Sequence, residues 1–316
     1  MTNRKIKVGV VGTGALGQHH TRIYGELEHA QLVGVFDVNP DRAKEIADKN
    51  HTRAFMSMEE LIQSVEAVSV VVPTDLHRDV AGLLIQAGKH VLIEKPIAAT
   101  TSEAEELVAL AKQHDVIVQV GHVERFNPVL SYLEQACENP RFIEAHRLAS
   151  YPPPREGLHP RGTEVSVVLD LMIHDLEVIL HLVGSRVREI RAVGAAVLSP
   201  TEDIANVRLS FENGCVANIT ASRISPERMR KIRVFQEDTY ISLDYQNQSG
   251  ELYKKEGNQF AREEVPIEKE EPLVSQLRSF VHCVAERDQP VVSGEHAAEA
   301  LKLAVQIVQQ LREGAS

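Results

Sequence analysis

The feature that most constrains the fold is a glycine-rich segment between two kinds of hydrophobic pattern. Residues 6–11 form a short apolar run, residues 15–27 repeat apolar positions with a helical period, and Gly12-Thr13-Gly14-Ala15-Leu16-Gly17 lies at their junction. In a strand–turn–helix unit the first glycine permits a tight turn, the second lets a pyrophosphate approach the backbone, and the third lets helix and strand pack closely. The segment therefore predicts a dinucleotide site formed by Gly12, Gly14, Ala15, Leu16 and Gly17.

The first 120 residues alternate short β-branched runs with amphipathic stretches, and the runs are apolar throughout, as in strands buried on both faces. The predicted strands are residues 6–11, 32–36, 68–72, 90–93 and 117–120. The predicted helices are residues 15–27, 40–50, 58–64, 77–87 and 101–114. Repeated strand–helix units predict an α/β fold with a doubly wound parallel sheet, a Rossmann domain over residues 1–121.

The pattern changes after residue 121, where longer strands of antiparallel style follow one more helix at residues 125–138. Predicted strands cover residues 142–150, 187–198, 204–212, 215–223, 230–236 and 239–244, and predicted helices cover residues 164–183, 273–287 and 295–312. Asn213-Gly214 between two strands is a hairpin signal, and the charged segment 254–272 predicts a solvated hairpin and loop. Residues 122–316 are therefore predicted to form an α+β domain with an open, mostly antiparallel sheet.

Bulk properties exclude several classes of protein. The 316 residues suit two domains, and a formal net charge of −11 argues against nucleic-acid binding. The three cysteines include no CxxC pair, which predicts no metal site, no disulfide framework and a reduced, cytoplasmic location. No apolar run of about 20 residues exists, so no membrane insertion is expected.

An acidic residue lies where a ribose would be bound. Asp37 ends the second predicted strand, twenty residues after Gly17. A carboxylate there accepts hydrogen bonds from ribose hydroxyls and repels a 2′-phosphate, so NAD is favoured over NADP, although Arg42 is close enough to soften the preference. The alternative interpretation is a glycine turn without a ligand and an Asp37 that only caps a helix.

Two further segments carry residues suited to hydride-transfer chemistry. Glu94-Lys95-Pro96 follows a predicted strand, at the sheet edge where open α/β sheets bind ligands. Asp170 and His174 are four residues apart in an apolar predicted helix, so the acid can orient the imidazole. Alcohol oxidation needs a base or a cation at the hydroxyl, which Lys95 and His174 can supply. Taken singly, Lys95 also suits an ordinary surface lysine, and His174 suits a core histidine.

These motifs together resemble the glucose–fructose oxidoreductase/inositol dehydrogenase/rhizopine catabolism (Gfo/Idh/MocA) family along nearly the whole chain. The resemblance also rests on Pro73-Thr74-x-x-His77 and Val120-Gly121-His122-x-x-Arg125-Phe126. It implies that Lys95, Asp170 and His174 are catalytic, that Pro73, Thr74, His77, Glu94, Lys95 and His122 line the cofactor, and that the open sheet forms an oligomer interface. Glu164-Val165-Ser166-Val167 stands where family members commonly have a glycine pair, so the substrate side of that helix is expected to differ.

Local basic excess predicts an anionic substrate, because arginine forks suit phosphates. One set lies between residues 141 and 161, comprising Arg141, Arg147, Arg155, Arg161, His146 and His159, and a second comprises Arg223, Arg228, Arg230, Lys231 and Arg233. The loop at residues 151–157 suits a substrate lid. The predicted substrate contacts are Lys95, Arg125, Arg147, Tyr151, Arg161 and His174, with a nucleotide sugar as the candidate. The alternative is that these charges are solvated strand faces and loops.

Segments such as residues 121–128 and 170–175 also resemble a branch similar to UDP-N-acetylglucosamine 3-dehydrogenases of lipid A biosynthesis. That resemblance implies NAD-dependent oxidation of a C3 hydroxyl to a ketone, a homodimer or homotetramer, and a downstream aminotransferase. Open alternatives are a UDP-N-acetylhexosaminuronate 3-dehydrogenase and an inositol or free-sugar dehydrogenase. From other classes, an NAD-using glycosidase would release sugar without net NADH, and a non-enzymatic NAD sensor would bind no sugar.

Overall fold

The computed structural model describes residues 4–154, 160 and 162–314. The chain divides into two compact units: the first comprises Met1–Val123 and Glu271–Ala298, and the second comprises Glu124–Glu270 and Glu299–Ser316. Within the described ranges no helix is long and apolar enough to cross a membrane.

A six-stranded parallel sheet organises the first unit. The strands are β1 (Ile6–Val11), β2 (Ala30–Phe36), β3 (Arg53–Ala54), β4 (Ala67–Val70), β5 (His90–Ile93) and β6 (Val118–Val120), in the order β3-β2-β1-β4-β5-β6. Every pairing is parallel, and the order reverses between β1 and β4. The predicted doubly wound sheet is confirmed, and its reversal places a ligand crevice at the carboxyl ends of β1 and β4.

Five helices connect these strands: α1 (Gly17–Glu26), α2 (Pro40–Lys49), α3 (Met58–Ser64), α4 (His77–Gln86) and α5 (Thr101–Gln113). Three of them begin at a side chain that accepts backbone N–H groups of the first turn: Asn39 before α2, Ser57 before α3 and Thr100 before α5. Such caps satisfy donors that have no partner within the helix. The start of α1, by contrast, has no side-chain cap.

One helix from the end of the chain completes the core of the first unit. α8 (Pro272–Glu286) buries Phe280 and neighbouring apolar residues in one cluster with Val8 of β1 and Tyr24 of α1. The predicted division gave every residue after 121 to the second domain, whereas residues 271–298 belong to the first unit. The amphipathic pattern predicts that this helix has an apolar face, but it does not say which sheet buries that face.

The second unit is built on an eight-stranded sheet. Its strands are β7 (Phe142–Leu148), β8 (Val187–Ala195), β9 (Ile204–Phe211), β10 (Val216–Ser222), β11 (Met229–Phe235), β12 (Thr239–Asp244), β13 (Ser249–Glu256) and β14 (Gln259–Glu264). Their order is β14-β13-β12-β11-β7-β10-β9-β8, and only β7 and β10 pair in parallel. The predicted open, mostly antiparallel sheet is confirmed. β13 was not among the predicted strands, because half of its residues are charged, as is common in strands near an exposed edge.

The helices of this unit are α6 (Pro128–Ala136) and α7 (Ile173–Val183), and α9 (Gly294–Gly314) begins in the first unit and continues into the second. The helix predicted over residues 164–183 starts later. One π-helical turn at Val168–Met172 precedes α7, whereas residues 162–166 form turns and irregular backbone. Gly184, with a φ of +57°, ends α7 in the left-handed conformation that glycine adopts without strain.

The burial of α8 can be tested with Phe280→Ala. The ring is fully buried in the first unit's core, so its removal should lower the free energy of unfolding by about 3–5 kcal/mol. Phe260→Ala is the control, because that ring on β14 is 65% exposed and its loss should change stability little. Chemical denaturation measures both, and an unchanged stability in Phe280→Ala would contradict the place of α8 in this core.

Candidate functional site

The three glycines between β1 and α1 meet different surroundings. Gly12 has a φ of +89°, and a Cβ there would lie 2.4 Å from the carbonyl oxygen of Val71. A Cβ on Gly17 would lie 1.8 Å from the carbonyl oxygen of Gly12. A Cβ on Gly14 would meet no atom within 4 Å. The first and third glycines therefore allow close packing, and the second leaves open space beside the backbone.

The start of α1 is suited to an anion. The helix has no side-chain cap at Leu16 and no acidic residue in its first turn. Free N–H groups and the helix dipole favour negative charge at such an end. With the open space at Gly14, this arrangement fits the pyrophosphate of NAD.

Asp37 is held beside the glycine loop. The backbone N–H and the hydroxyl of Thr13 donate to Asp37 Oδ2 at 2.7 and 2.9 Å, and the backbone N–H of Asn39 donates to Oδ1 at 2.9 Å. Asn39, not Asp37, caps α2. Arg42 donates from Nε to the carbonyl oxygen of Thr13 at 3.1 Å and pairs with Glu45. The carboxylate is thus fixed at the rim of the loop, where a ribose would lie.

His77 joins the segments that follow β4 and β5. Its Nδ1 lies 2.8 Å from the carbonyl oxygen of Pro96, and its Nε2 lies 3.0 Å from that of Val72. Burial lowers the pKa of His77, and the two carbonyl oxygens oppose this only in part. The neutral ring has one N–H, which donates to one of the two carbonyls. His77 was predicted to line the cofactor, but both nitrogens face backbone oxygens, so it supports the loops that carry Pro73, Thr74 and Lys95.

Glu94 is partly buried, with a side chain that is 12% exposed, and a histidine that sequence reasoning missed lies against it. His20 Nε2 of α1 is 3.2 Å from Glu94 Oε1. The backbone N–H of Lys95 donates to Oε2 at 3.3 Å. His122 is buried just beyond β6. Only the helical spacing of His20 on the apolar face of α1 could have indicated its burial.

Asp170 and His174 both belong to the second unit, whereas Lys95 belongs to the first. Asp170 lies in the π-helical turn and His174 in the first turn of α7. Gly162, with a φ of +81°, lies directly against the acid, since a Cβ there would be 2.4 Å from Asp170 Oδ2. Because Asp170 lies in a π-helical turn, the pair does not have the regular α-helical geometry that was predicted. Such turns are often found at functional sites.

A buried ion pair fixes the chain that leads into this turn. Arg223 donates to Asp203 at 2.8 Å and to the carbonyl oxygens of Gly162 and Val165 at 2.7 and 2.8 Å. Burial alone would raise the pKa of Asp203, but Arg223 and the backbone N–H groups of residues 198 and 199 hold it well below its usual range. Arg223 was assigned to a phosphate-binding run, yet it is buried and engaged within the protein.

The structure also corrects two predicted substrate contacts. Arg147 is 3% exposed and donates to both oxygens of Asp175, at 2.7 and 3.0 Å, and to Glu124 at 2.9 Å. Arg125 is buried and donates to Glu177 at 2.8 Å. Asp175 and Glu177 lie on α7, so the two arginines hold the helix that carries His174. Their buried guanidinium groups already have carboxylate partners, which leaves them unsuited to bind a phosphate.

Of the two predicted substrate contacts between residues 151 and 161, Tyr151 lies within the described residues. The hydroxyl of Tyr151 is 3.0 Å from that of Ser199. Arg161, and Arg155 and His159 of the same basic set, lie outside the described residues.

The glycine geometry makes a paired prediction. Gly14→Ala adds a methyl group to open space, so the cofactor-free protein should keep its melting temperature while its Kd for NAD rises about tenfold or more. Gly17→Ala forces a methyl group onto the Gly12 carbonyl and should lower the melting temperature of the cofactor-free protein. Thermal denaturation and titration calorimetry measure both properties. A Gly14→Ala protein with normal NAD affinity would show that the pyrophosphate does not pass over this residue.

The role of Arg147 can be tested by stability. Arg147→Met leaves Asp175 and Glu124 buried without their cation, so the free energy of unfolding should fall by about 3–5 kcal/mol. The control is Arg141→Met, because Arg141 and its partner Glu237 are both exposed and exposed ion pairs contribute little. Equal stability of the two variants in urea denaturation would show that Arg147 does not hold α7 in place.

Comparisons with known proteins agree with this architecture. The profile of an oxidoreductase family with an NAD-binding Rossmann fold matches residues 6–122, and the profile of the GFO/IDH/MocA C-terminal domain matches residues 134–242. A UDP-N-acetylglucosamine 3-dehydrogenase from Acidithiobacillus ferrooxidans is 37% identical over 309 residues, 96% of each chain. A solved structure of that enzyme matches with a TM-score of 0.92 at 36% identity over 98% of each chain.

A second relative acts on a different class of alcohol. A myo-inositol 2-dehydrogenase from Thermotoga maritima is 28% identical over 334 residues, covering 98% of this chain and 97% of that protein. Full-length similarity to dehydrogenases, with both domain profiles in order, identifies the chain as a member of the GFO/IDH/MocA oxidoreductase family with NAD as its cofactor.

Proposed function

We propose that the protein oxidises the C3 hydroxyl of UDP-N-acetylglucosamine to a ketone with NAD. The observation that carries the proposal is the 37% identity to the Acidithiobacillus ferrooxidans 3-dehydrogenase, which extends over 96% of both chains. The myo-inositol dehydrogenase relative has lower identity over a similar length, so an inositol is the second candidate substrate.

The chemistry is divided between the cofactor and two protein groups. NAD held by the Gly12–Gly17 loop and Asp37 would supply the hydride acceptor, and the overall reaction converts a secondary alcohol and NAD to a ketone, NADH and one proton. That proton leaves the hydroxyl for a base, which we assign to His174 or Lys95. Lys95 also supplies positive charge that stabilises a developing alkoxide. Asp170 precedes His174 by one π-helical turn and orients its imidazole.

Positive charge for the diphosphate comes from side chains that remain accessible. Arg125, Arg147 and Arg223 are buried in ion pairs. The side chain of Arg230 on β11 is 53% exposed, and its Nη1 lies 3.6 Å from Glu124 Oε1, farther than the buried pairs. Arg230 lies opposite Arg147 of β7 in the strand register. It therefore lies at the end of β11 that is near the Arg147–Asp175 ion pair. We assign the diphosphate to Arg230 and the exposed Arg228.

Assembly and metabolic context are also proposals. One face of the eight-stranded sheet carries a row of half-buried aromatic residues, Phe142, Phe235, Tyr240 and Tyr253, with ring centroids 4.5–5.6 Å apart. A homodimer or homotetramer formed through this face would cover that row. An aminotransferase that aminates the C3 ketone is the partner reaction, and lipid A biosynthesis in the cytoplasm is the setting that this product suits.

The test is to incubate the protein with NAD and UDP-N-acetylglucosamine, with a carbonyl trap, while following NADH and the mass of the sugar. NADH and a product lighter by two hydrogens are expected. If NAD binds but no turnover follows, UDP-N-acetylglucosamine is not the substrate. The UDP-N-acetylhexosaminuronates would then be tested, followed by inositols and free sugars. Sugar release without net NADH would favour a glycosidase, and no reaction with any sugar would favour an NAD sensor.

Lys95→Met tests the assigned chemistry. The Met side chain should lower kcat by about 10²–10⁴-fold because it removes the group that serves either as the base or as the cation at the hydroxyl. NAD affinity, measured by titration calorimetry, should change little, and Lys49→Met on the exposed surface of α2 serves as the control. Turnover near that of the unmodified protein would show that Lys95 has no catalytic role.

A further inference from the structure

A buried histidine on α1 plays no part in the chemistry described so far. His20 is 0% exposed, and its neighbour His19 on the same helix is exposed. His20 Nε2 lies 3.2 Å from Glu94 Oε1. Burying an imidazole costs free energy, because the polar ring loses its hydrogen bonds to water. The contact with Glu94 is therefore the feature to explain.

The carboxylate of Glu94 is enclosed by three segments of the first unit. His20 approaches Oε1 from α1, and the backbone N–H of Lys95 donates to Oε2 at 3.3 Å. Gly121, just after β6, leaves room for the carboxylate, since a Cβ there would be 2.7 Å from Oε1 and 2.9 Å from Cδ. Any larger residue at 121 would displace Glu94. The site is thus shaped around an oriented carboxylate.

The two partners of this contact lie on functionally distinct segments. His20 is one turn beyond Gly17, on the helix whose start receives the pyrophosphate. Glu94 directly precedes Lys95. The His20–Glu94 contact therefore joins the cofactor-binding helix to the segment that carries the lysine, and a shift of either segment changes the distance between them.

Charge reinforces the geometry. Burial alone would raise the pKa of Glu94, but the nearby imidazole of His20, together with the charge and backbone N–H of Lys95, holds it below its ordinary value. The charge of Glu94 also acts on His77, whose pKa it raises against the effect of burial. Without His20, less would oppose the desolvation of the carboxylate, and the carboxyl group would take up a proton more readily.

We propose that His20 is a positioning residue that keeps Glu94 ionised and oriented, so that Glu94 in turn holds the backbone and charge of Lys95 in place. This role rests on the proposed catalytic function of Lys95. His20 itself does not touch the substrate carbon. Its contribution passes through Glu94, so it should alter kcat and its pH dependence more than KM for NAD.

The experiment compares His20→Ala, His20→Gln and the matched control His19→Ala. Carbon-13 NMR of glutamate-labelled, cofactor-free protein follows the titration of Glu94, whose signal is assigned by its loss in Glu94→Gln. In His20→Ala the titration should move to higher pH, and kcat should fall by about 10²-fold through misplacement of Lys95, with its acid limb moved in the same direction. His20→Gln keeps a donor without a charge and should give intermediate values, and His19→Ala should change neither.

The NMR titration and the kinetic measurement can each contradict this proposal without bearing on the proposed function. If Glu94 titrates unchanged in folded His20→Ala, or in His20→Gln should the alanine variant not fold, His20 does not hold the carboxylate. If Glu94 shifts but kcat and its pH profile stay constant, the link from Glu94 to Lys95 is wrong. Failure of UDP-N-acetylglucosamine as substrate would leave the NMR titration intact, so the two failures are distinguishable.

Discussion

The first unit depends on one close approach, the contact between the start of α1 and the turn that follows β1. Only glycine at position 17 lets the helix lie against the Gly12 carbonyl. That contact directs the uncapped end of α1 toward the point where the sheet order reverses. Thr13, in the same turn, holds Asp37, and His20, one turn along the helix, contacts Glu94. The positions of Asp37 and Glu94 therefore both depend on this turn and on the helix that follows it.

In the second unit, buried ion pairs fix the position of a partly irregular segment. Residues 162–172 include a positive-φ glycine and a π-helical turn, and neither offers the regular hydrogen bonds of an α-helix. Arg223 and Asp203 fix the start of this segment through its backbone carbonyls, and Arg147 holds α7 just after it through Asp175. Buried ion pairs contribute little net stability when compared with apolar packing, but they specify geometry strongly because a broken pair is costly.

The parts of the fold that could be predicted from the sequence are those governed by local rules. The glycine turn needs no distant partner to be recognised, and Asp37 follows from its place at the end of the next strand. The buried face of α8 has no such local signal, because an amphipathic pattern does not identify the sheet that covers it. The same limit applies to His20, whose partner Glu94 is 74 positions away and approaches only through the order of the parallel strands.

The arginines show why local charge density is a poor guide to an anion site. Arg147 and Arg223 lie in basic stretches, yet their partners Asp175 and Asp203 come from other elements and neutralise them inside the protein. A sequence window counts the cations near one another in the chain, whereas desolvation requires each buried cation to find a carboxylate in space. The charges left for an anionic substrate are those that the fold does not neutralise. On this argument a strand-end residue such as Arg230, half exposed and only loosely paired, is better suited to a diphosphate than the arginines whose burial is complete.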